Sequence, residues 1–424
     1  MAAEAATSAS NASARSARRD GSCRQKRTIT AGRLTLHGSF VIARHTIPFP
    51  QAKEPVLVQA SPERALSYPS LSTELRFIAD CCRLSFDARV LERVQQRAAT
   101  VDWRKVRSLA ARHRVEGLVW HAIKATGTTP PGPVGQSLAD DARSIADNGL
   151  RVMLASAQLV SAFDQAGIAL LFVKGLTLGQ LAYANPFVKM GCDVDVLVPP
   201  DRVSDAAVTL RDLDFRLLVP ASASSLQRWH PERKESVWQR EADGIVVELH
   251  TRLADNSLLI PAIDTDSPRQ EVAIGTTKLP TLARDELFAY LCVHGASSAW
   301  FRLKWVSDLA GLLKDCGPDE IERLYRRALA LGTGRSAGQA LLLLELLFET
   351  ELGPALSREI KSDRATRSLL RTALRMLRGD EPARRRLGTL PIHLSQFSVE
   401  RGLAFKWAEL KQQVRAAQLN RALA

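Results

Sequence analysis

Two carboxylates, Asp193 and Asp195, stand two residues apart in the run Met190-Gly191-Cys192-Asp193-Val194-Asp195-Val196-Leu197-Val198. The flanking residues are apolar and β-branched, which suits a strand. A strand has a side-chain period of two. The aspartates therefore point to one face, and Val194 and Val196 to the other. Like charges side by side on a buried strand are costly unless a cation neutralises them. Mg2+, or Mn2+ in its place, prefers carboxylate oxygens and keeps positions open for phosphate. The chemistry that suits this pair is phosphoryl or nucleotidyl transfer. The plainer alternative is a solvated edge strand, and the surrounding Val and Leu residues argue against it.

Such transfer needs a third acid on a neighbouring strand. Glu248, within Val246-Val247-Glu248-Leu249-His250, is the best candidate. Its structural alternative is an ion pair with Arg252. His250 shares its face by the period-two rule and reads as a packed or hydrogen-bonding histidine. Glu241 falls at a turn and reads as solvated. Lys174-Gly175 closes the strand before the paired acids. Glycine there lets the backbone approach a phosphate, and the next helix offers its amides. Lys174 would add a point charge to a triphosphate, or else is a surface lysine at a strand end. Arg302 and Lys304 are further phosphate-binding candidates, with a solvated helix face as the alternative. His113 and His294 lie on apolar helical faces and read as core histidines. Trp300 and Trp305 read as core packing, and Asp308 as a cap or as a partner of Lys304.

The elements that must position these residues follow from periodicity. Residues 71–125 are helical in pattern, with Leu75, Ile78, Cys82 and Leu84 as well as Val106, Leu109, Ala110 and His113 at i+3 and i+4 spacing. After a Gly/Pro-rich loop, residues 135–167 form a long helix capped by Gly167. Residues 168–173 read as a buried strand and 176–183 as a short helix stopped by Asn185-Pro186. The acid strand follows, then a helix over 202–213 with Asp201 as its cap. Residues 215–219 are a further strand. Residues 236–241 and 245–250 form a β-hairpin turned at Asp243-Gly244. From Pro280 the chain reads as helical to its end. Thr281 is the expected cap, residues 337–352 a central helix, and 405–419 the last one. The fold class is therefore α+β: a mixed sheet flanked by helical N-terminal and C-terminal regions. The expected organisation is a poorly structured basic tail over 1–70, helices over 71–147, a core over 148–280 and helices over 281–424.

Composition sets outer bounds. At 424 residues with 46% hydrophobic content, the chain can build more than one core. No apolar run approaches the ~18 residues of a membrane span. The net charge of +13 suits polyanionic ligands such as nucleotides. It also fits the Arg- and Ala-rich usage of a GC-rich coding sequence, so nucleic acid is not the favoured partner. The six cysteines show no C-x-x-C pair and no zinc spacing. They read as reduced thiols of a cytoplasmic protein. The Ala/Ser- and Arg-rich start lacks the apolar stretch of a secretory signal. Residues 34–47 have some β-like alternation without a partner, and Arg384-Arg385-Arg386 precede the last helix.

The motifs together carry a resemblance. Phe172-Val173-Lys174-Gly175, the acid strand 190–198 and Val247-Glu248-Leu249-His250 resemble the uncharacterised nucleotidyltransferase family of bacteria, within the DNA polymerase β-like nucleotidyltransferase superfamily. Trp103, His113-Arg114-Val115, His294-Gly295-Ala296, Trp300 to Trp305 and Asp308 extend the likeness over roughly 71–350. The resemblance implies a mixed-sheet nucleotidyltransferase core and Mg2+-dependent transfer of a nucleoside monophosphate from a nucleoside triphosphate. It makes Asp193 and Asp195 the paired metal acids and Glu248 the third acid, where the wider superfamily more often has Asp. Lys174-Gly175 stands where that superfamily has Gly-Ser or Gly-Gly. The acceptor is left open: a protein, a tRNA end, a small molecule or a sugar phosphate. The rival readings are a non-catalytic interaction protein of the same fold, antitoxin-like or a scaffold, and an RNA-binding module.

Overall fold

The computed structural model describes residues 71–422, apart from 84–86, 192, 221–224, 380 and 382–386. The expectations for residues 1–70, Leu84, Cys192 and the 384–386 arginines lie outside the described residues.

The sheet is built from β1 (Leu171–Phe172), β2 (Asp193–Leu197), β3 (Phe215–Val219), β4 (Glu235–Arg240) and β5 (Val246–His250). Its order is β1-β2-β5-β4-β3. β2 and β5 run parallel, and the other neighbours are antiparallel, so the sheet is mixed. The architecture is α+β, as the residue pattern implies. Asp243-Gly244 turns the β4–β5 hairpin, with Gly244 at φ +72°. Glu241 lies at this turn, exposed and paired with Arg216.

The period of two separates two cores. Val194 and Val196 of β2, Val247 and Leu249 of β5 and Trp238 of β4 pack under one face. Against them lie Val152, Ala155, Leu159 and Phe163 of the long helix Gly132–Gln165 and Val203, Ala206 and Leu210 of the helix Val203–Asp212. The opposite face carries Asp193, Asp195, Glu248 and His250. It looks toward the larger core, in which Leu171, Val173 and Leu197 join the helices Arg284–Ser297, Leu303–Leu312 and Ser336–Phe348. The helix Gly132–Gln165 runs through residues 147 and 148. The expected line between an N-terminal helical region and a core thus falls inside one continuous helix.

Two local expectations are corrected. Thr281 is not a helix cap. It lies in β7 (Thr277–Leu282), which pairs with β6 (Arg269–Ile274) as a second hairpin turned at Gly275, φ +60°. Buried Val272, Ile274 and Leu279 supply the alternation, and Pro280 is tolerated because a two-stranded ribbon has only edge strands. The Thr281 hydroxyl donates to the Phe172 carbonyl at 2.5 Å, tying this hairpin to β1. Boundary 280/281 therefore falls inside a strand, and the helix begins at Arg284. Asp201 is likewise not the cap of its helix. It sits within a short 3-10 turn, Pro200–Arg202, and the helix Val203–Asp212 starts without a side-chain cap.

Candidate active site

β2 and β5 pair in parallel with Asp195 opposite Glu248. Residues in register on adjacent strands point to the same side. The two acids thus stand beside each other although 53 positions separate them in the chain. The β4–β5 register then sets Glu235 opposite His250. Four carboxylates and one imidazole share the face.

Their ion pairs are specific. Lys174 Nζ lies 2.6 Å from Asp195 Oδ1. His250 Nε2 is 3.3 Å from the same oxygen and 3.7 Å from Glu248 Oε2. His250 Nδ1 is 3.4 Å from Glu235 Oε2, and Lys234 Nζ is 3.0 Å from that oxygen. Burial opposes both charges of the Lys174–Asp195 pair, yet mutual attraction outweighs it. The lysine is held well above its ordinary pKa, and the aspartate well below its own. Burial likewise opposes the His250 imidazolium, but hydrogen bonds to Asp195 and Glu248 raise its pKa. Burial, with Glu235 and Asp195 as like-charged neighbours, pushes Glu248 up to about 8. Glu235, beside Lys234, falls to about 2 although burial opposes it.

A cleft opens on this face between the sheet and the helical region. Lys174, Gly175, Lys189, Met190, Asp193 and Asp195 line one side, and His294, Lys304, Trp305 and Asp308 the other. Gly175 has φ +70°, a value glycine adopts without strain, and it leads into the helix Leu176–Tyr183. The loop before β2 is held by Asn148 of the long helix, whose Nδ2 donates to the Gly191 carbonyl at 2.6 Å. Lys189 Nζ lies 3.3 Å from Asp308 Oδ2, and the Tyr183 hydroxyl donates to Asp308 Oδ1 at 3.0 Å. Asp308 thus pairs with Lys189 across the cleft. Burial pulls the Lys304 ammonium down to about 7, and Lys189 and Arg114 add like-charge repulsion.

The structure brings Asp193, Asp195, Glu248, Lys174, Gly175 and Lys304 to this region. It does not bring Arg302 there. Arg302 is buried; its guanidinium donates to the Arg112 carbonyl at 2.6 Å and lies 3.0 Å from Glu381. That geometry fastens the start of the helix Leu303–Leu312 to the N-terminal helices, so a phosphate-binding role does not fit it. Arg252 does not pair with Glu248; it donates to the His230, Pro231 and Ala254 carbonyls. His113 is the core histidine expected, accepting from the Leu303 amide at 3.0 Å. His294 is half-buried and lines the cleft, its ring tilted against Tyr290 and edge-on to Trp305. Sequence reasoning missed Lys189, Lys234 and Glu235. Glu235 was within reach: counting back by two from Val237 along the hairpin places it on the acid face, opposite His250.

Asp195, Glu248 and His250 each offer a ligand atom, and these atoms lie within 4.8 Å of one another. Two carboxylates and an imidazole are a donor set that suits a divalent cation; in this structure Lys174 and His250 pair with Asp195, and Lys234 with Glu235.

Residues 99–349 match the family described as "Uncharacterised nucleotidyltransferase". The chain belongs to that family. No curated protein matches it. Two solved structures show some likeness. One is the solution structure of the antibiotic-resistance factor ANT(2'')-Ia, 12% identical, with TM-score 0.30 over 41% of this chain and 90% of that one. The other is the crystal structure of an antigenic nucleotidyltransferase-like protein from Paracoccidioides brasiliensis, 14% identical, with TM-score 0.31 over 48% of this chain and 94% of that one. Among the described residues no helix is long and apolar enough to cross a membrane.

Proposed function

We propose that this nucleotidyltransferase transfers a nucleoside monophosphate from a nucleoside triphosphate to an acceptor hydroxyl, with a divalent cation, Mg2+ or Mn2+, held on the acid face. The observation that carries this reading is the parallel register of Asp195 and Glu248, with Asp193 two residues before Asp195 on the same face. Membership of the family supports the reaction class.

In the mechanism we propose, Asp193, Asp195 and Glu248 would hold the cation, whose charge would neutralise the polyphosphate and make the α-phosphorus more electrophilic. Lys174, Lys189 and Lys304 neutralise the remaining phosphate oxygens from the two walls of the cleft. The Leu176–Tyr183 helix start, behind Gly175, offers its amides to the same oxygens. Glu248, ionised when the cation is bound, would receive the proton of the acceptor hydroxyl. Attack in line with the leaving group then releases pyrophosphate.

The test is a transfer screen with each labelled nucleoside triphosphate against protein, tRNA and small-molecule acceptors. Wild type is expected to label one acceptor class, and Asp193→Asn/Asp195→Asn to label none. Equal labelling by both proteins, or no nucleotide binding by calorimetry in the presence of Mg2+ or Mn2+, overturns the proposal.

A further inference from the structure

The fully buried His250 is more than a neighbour of the carboxylates. Its Nε2 faces Asp195 Oδ1 at 3.3 Å and Glu248 Oε2 at 3.7 Å. Its Nδ1 faces Glu235 Oε2 at 3.4 Å. Neither Nδ1 nor that oxygen has a well-formed hydrogen bond, although both are buried. We propose that His250 Nε2 is itself a metal ligand, and that Asp195, Glu248 and His250 form a mixed nitrogen–oxygen site for a cation of the Mn2+ or Zn2+ class. This rests on the proposed metal-bearing face but not on any nucleotide being transferred there.

Three observations carry it. The first is spacing. Two ligand atoms each about 2.1 Å from one ion and at right angles are about 3 Å apart. The distances of 3.3 Å and 3.7 Å are close to that before any adjustment.

The second is the partner of the other ring nitrogen. Metal-bound histidines almost always donate the remaining N–H to a carboxylate, a carbonyl or water, which fixes the tautomer. Glu235 is that carboxylate, and Lys234 at 3.0 Å keeps it in place. In this structure Nε2 is hydrogen-bonded to Asp195. A cation arriving there would take the place of that proton on Nε2, with Nδ1–H left to Glu235.

The third is what offsets the charge here. The Lys174 ammonium lies on the same Asp195 oxygen that His250 faces, 2.6 Å away. Lys174 Nζ and His250 Nε2 thus approach that one oxygen from two sides. Lys174 sits on a four-carbon stem and can leave when an ion arrives. His250 is fixed in β5 and stays.

The consequence is selectivity. Mg2+ takes oxygen ligands, whereas imidazole suits Mn2+, Zn2+ and their neighbours and strengthens their hold. The experiment uses the full chain and MnCl2 alone, with no nucleotide. Bound Mn2+ is counted by electron paramagnetic resonance, and electron spin-echo modulation reads nitrogen coupling. Wild type is expected to show coupling from a directly bound imidazole 14N. His250→Gln is expected to lose that coupling. Glu235→Gln is expected to keep it while binding Mn2+ about 10–100-fold more weakly. Wild type labelled with 15N-histidine is expected to replace the 14N signal with a 15N one, which keeps the test decisive should the buried variants not fold. Bound Mn2+ without nitrogen coupling, coupling unchanged in His250→Gln, or no Mn2+ binding overturns the inference. Transfer activity without nitrogen coupling sinks this site alone. Nitrogen coupling without any transfer sinks the proposed function and leaves the site.

Discussion

Lys174 Nζ and Asp195 Oδ1 are 2.6 Å apart in a place almost closed to water. The lysine ends the segment after β1, and the aspartate is the middle residue of β2. The Val173 amide donates to the Asp195 carbonyl at 3.1 Å and locks the two segments together just there. An ion pair this withdrawn from solvent is balanced between a large desolvation cost and a large attraction. Removing one partner leaves the other buried and uncompensated.

Lys174→Met is therefore expected to lower unfolding stability by about 3–5 kcal/mol. Lys174→Met/Asp195→Leu is expected to regain most of that loss, because the stranded charge is gone as well. Urea denaturation of the single and double variants measures the difference. A double variant as unstable as the sum of its singles contradicts the pairing.

Arg302 and Lys304 stand two residues apart and are expected to behave differently. Arg302→Met removes a buried cation from the Arg112 carbonyl and Glu381. Its expected effect is a stability loss of about 3 kcal/mol, with the KM for nucleotide changed less than about threefold. Lys304→Ala takes a charge from the cleft wall. Its expected effect is a KM at least about tenfold higher, since phosphate contacts to a cation are charge-assisted. Steady-state kinetics alongside thermal melts separates the two.

Glu116 gives a pH dependence of its own. It is buried at the start of the helix Glu116–Thr126, and burial raises its carboxyl from the ordinary 4.5 to about 7. The folded value lies above the unfolded one, so folding favours the protonated acid. Its stabilising contribution is full below pH 4.5 and is lost as pH rises through about 7. Across that window wild type is expected to lose stability relative to Glu116→Gln, which stays neutral. Parallel slopes for the two proteins in melts from pH 5 to pH 8 would refute this.

Gly311 sets how close the helical region comes to the sheet. A Cβ there would lie 2.8 Å from both the Cβ and the carbonyl oxygen of Ala182. The helix Leu303–Leu312 therefore rests directly on the helix Leu176–Tyr183, and this contact fixes Lys304 opposite Lys174. Gly311→Val is expected to cost about 1–3 kcal/mol of stability through overpacking. It is also expected to lower transfer activity by widening the cleft, while Gly317→Val, at an open position, changes neither. Melting temperature and initial rate read the two effects.

The residues themselves settled which side chains share a face. A strand's period of two puts Asp193 with Asp195, and Glu248 with His250, whatever the surrounding fold. The apolar residues between them commit the other face to a core. The long helix, the Asp243-Gly244 turn and the α+β class follow from equally local rules, and so do the β4 and β5 strands. What local rules do not contain is pairing across distance. Only the tertiary structure set β2 beside β5 in parallel and so placed Asp195 against Glu248. It also brought Lys189 to Asp308 across the cleft, and turned Arg302 toward a backbone carbonyl and away from the cleft. The second hairpin was overlooked because Pro280 reads as a helix boundary, and only pairing with β6 makes a strand of that stretch. Charge explains the remainder: a lysine or glutamate looks the same in sequence whether solvated or buried. Its partner, supplied by folding, decides whether it lies on the surface or in the site.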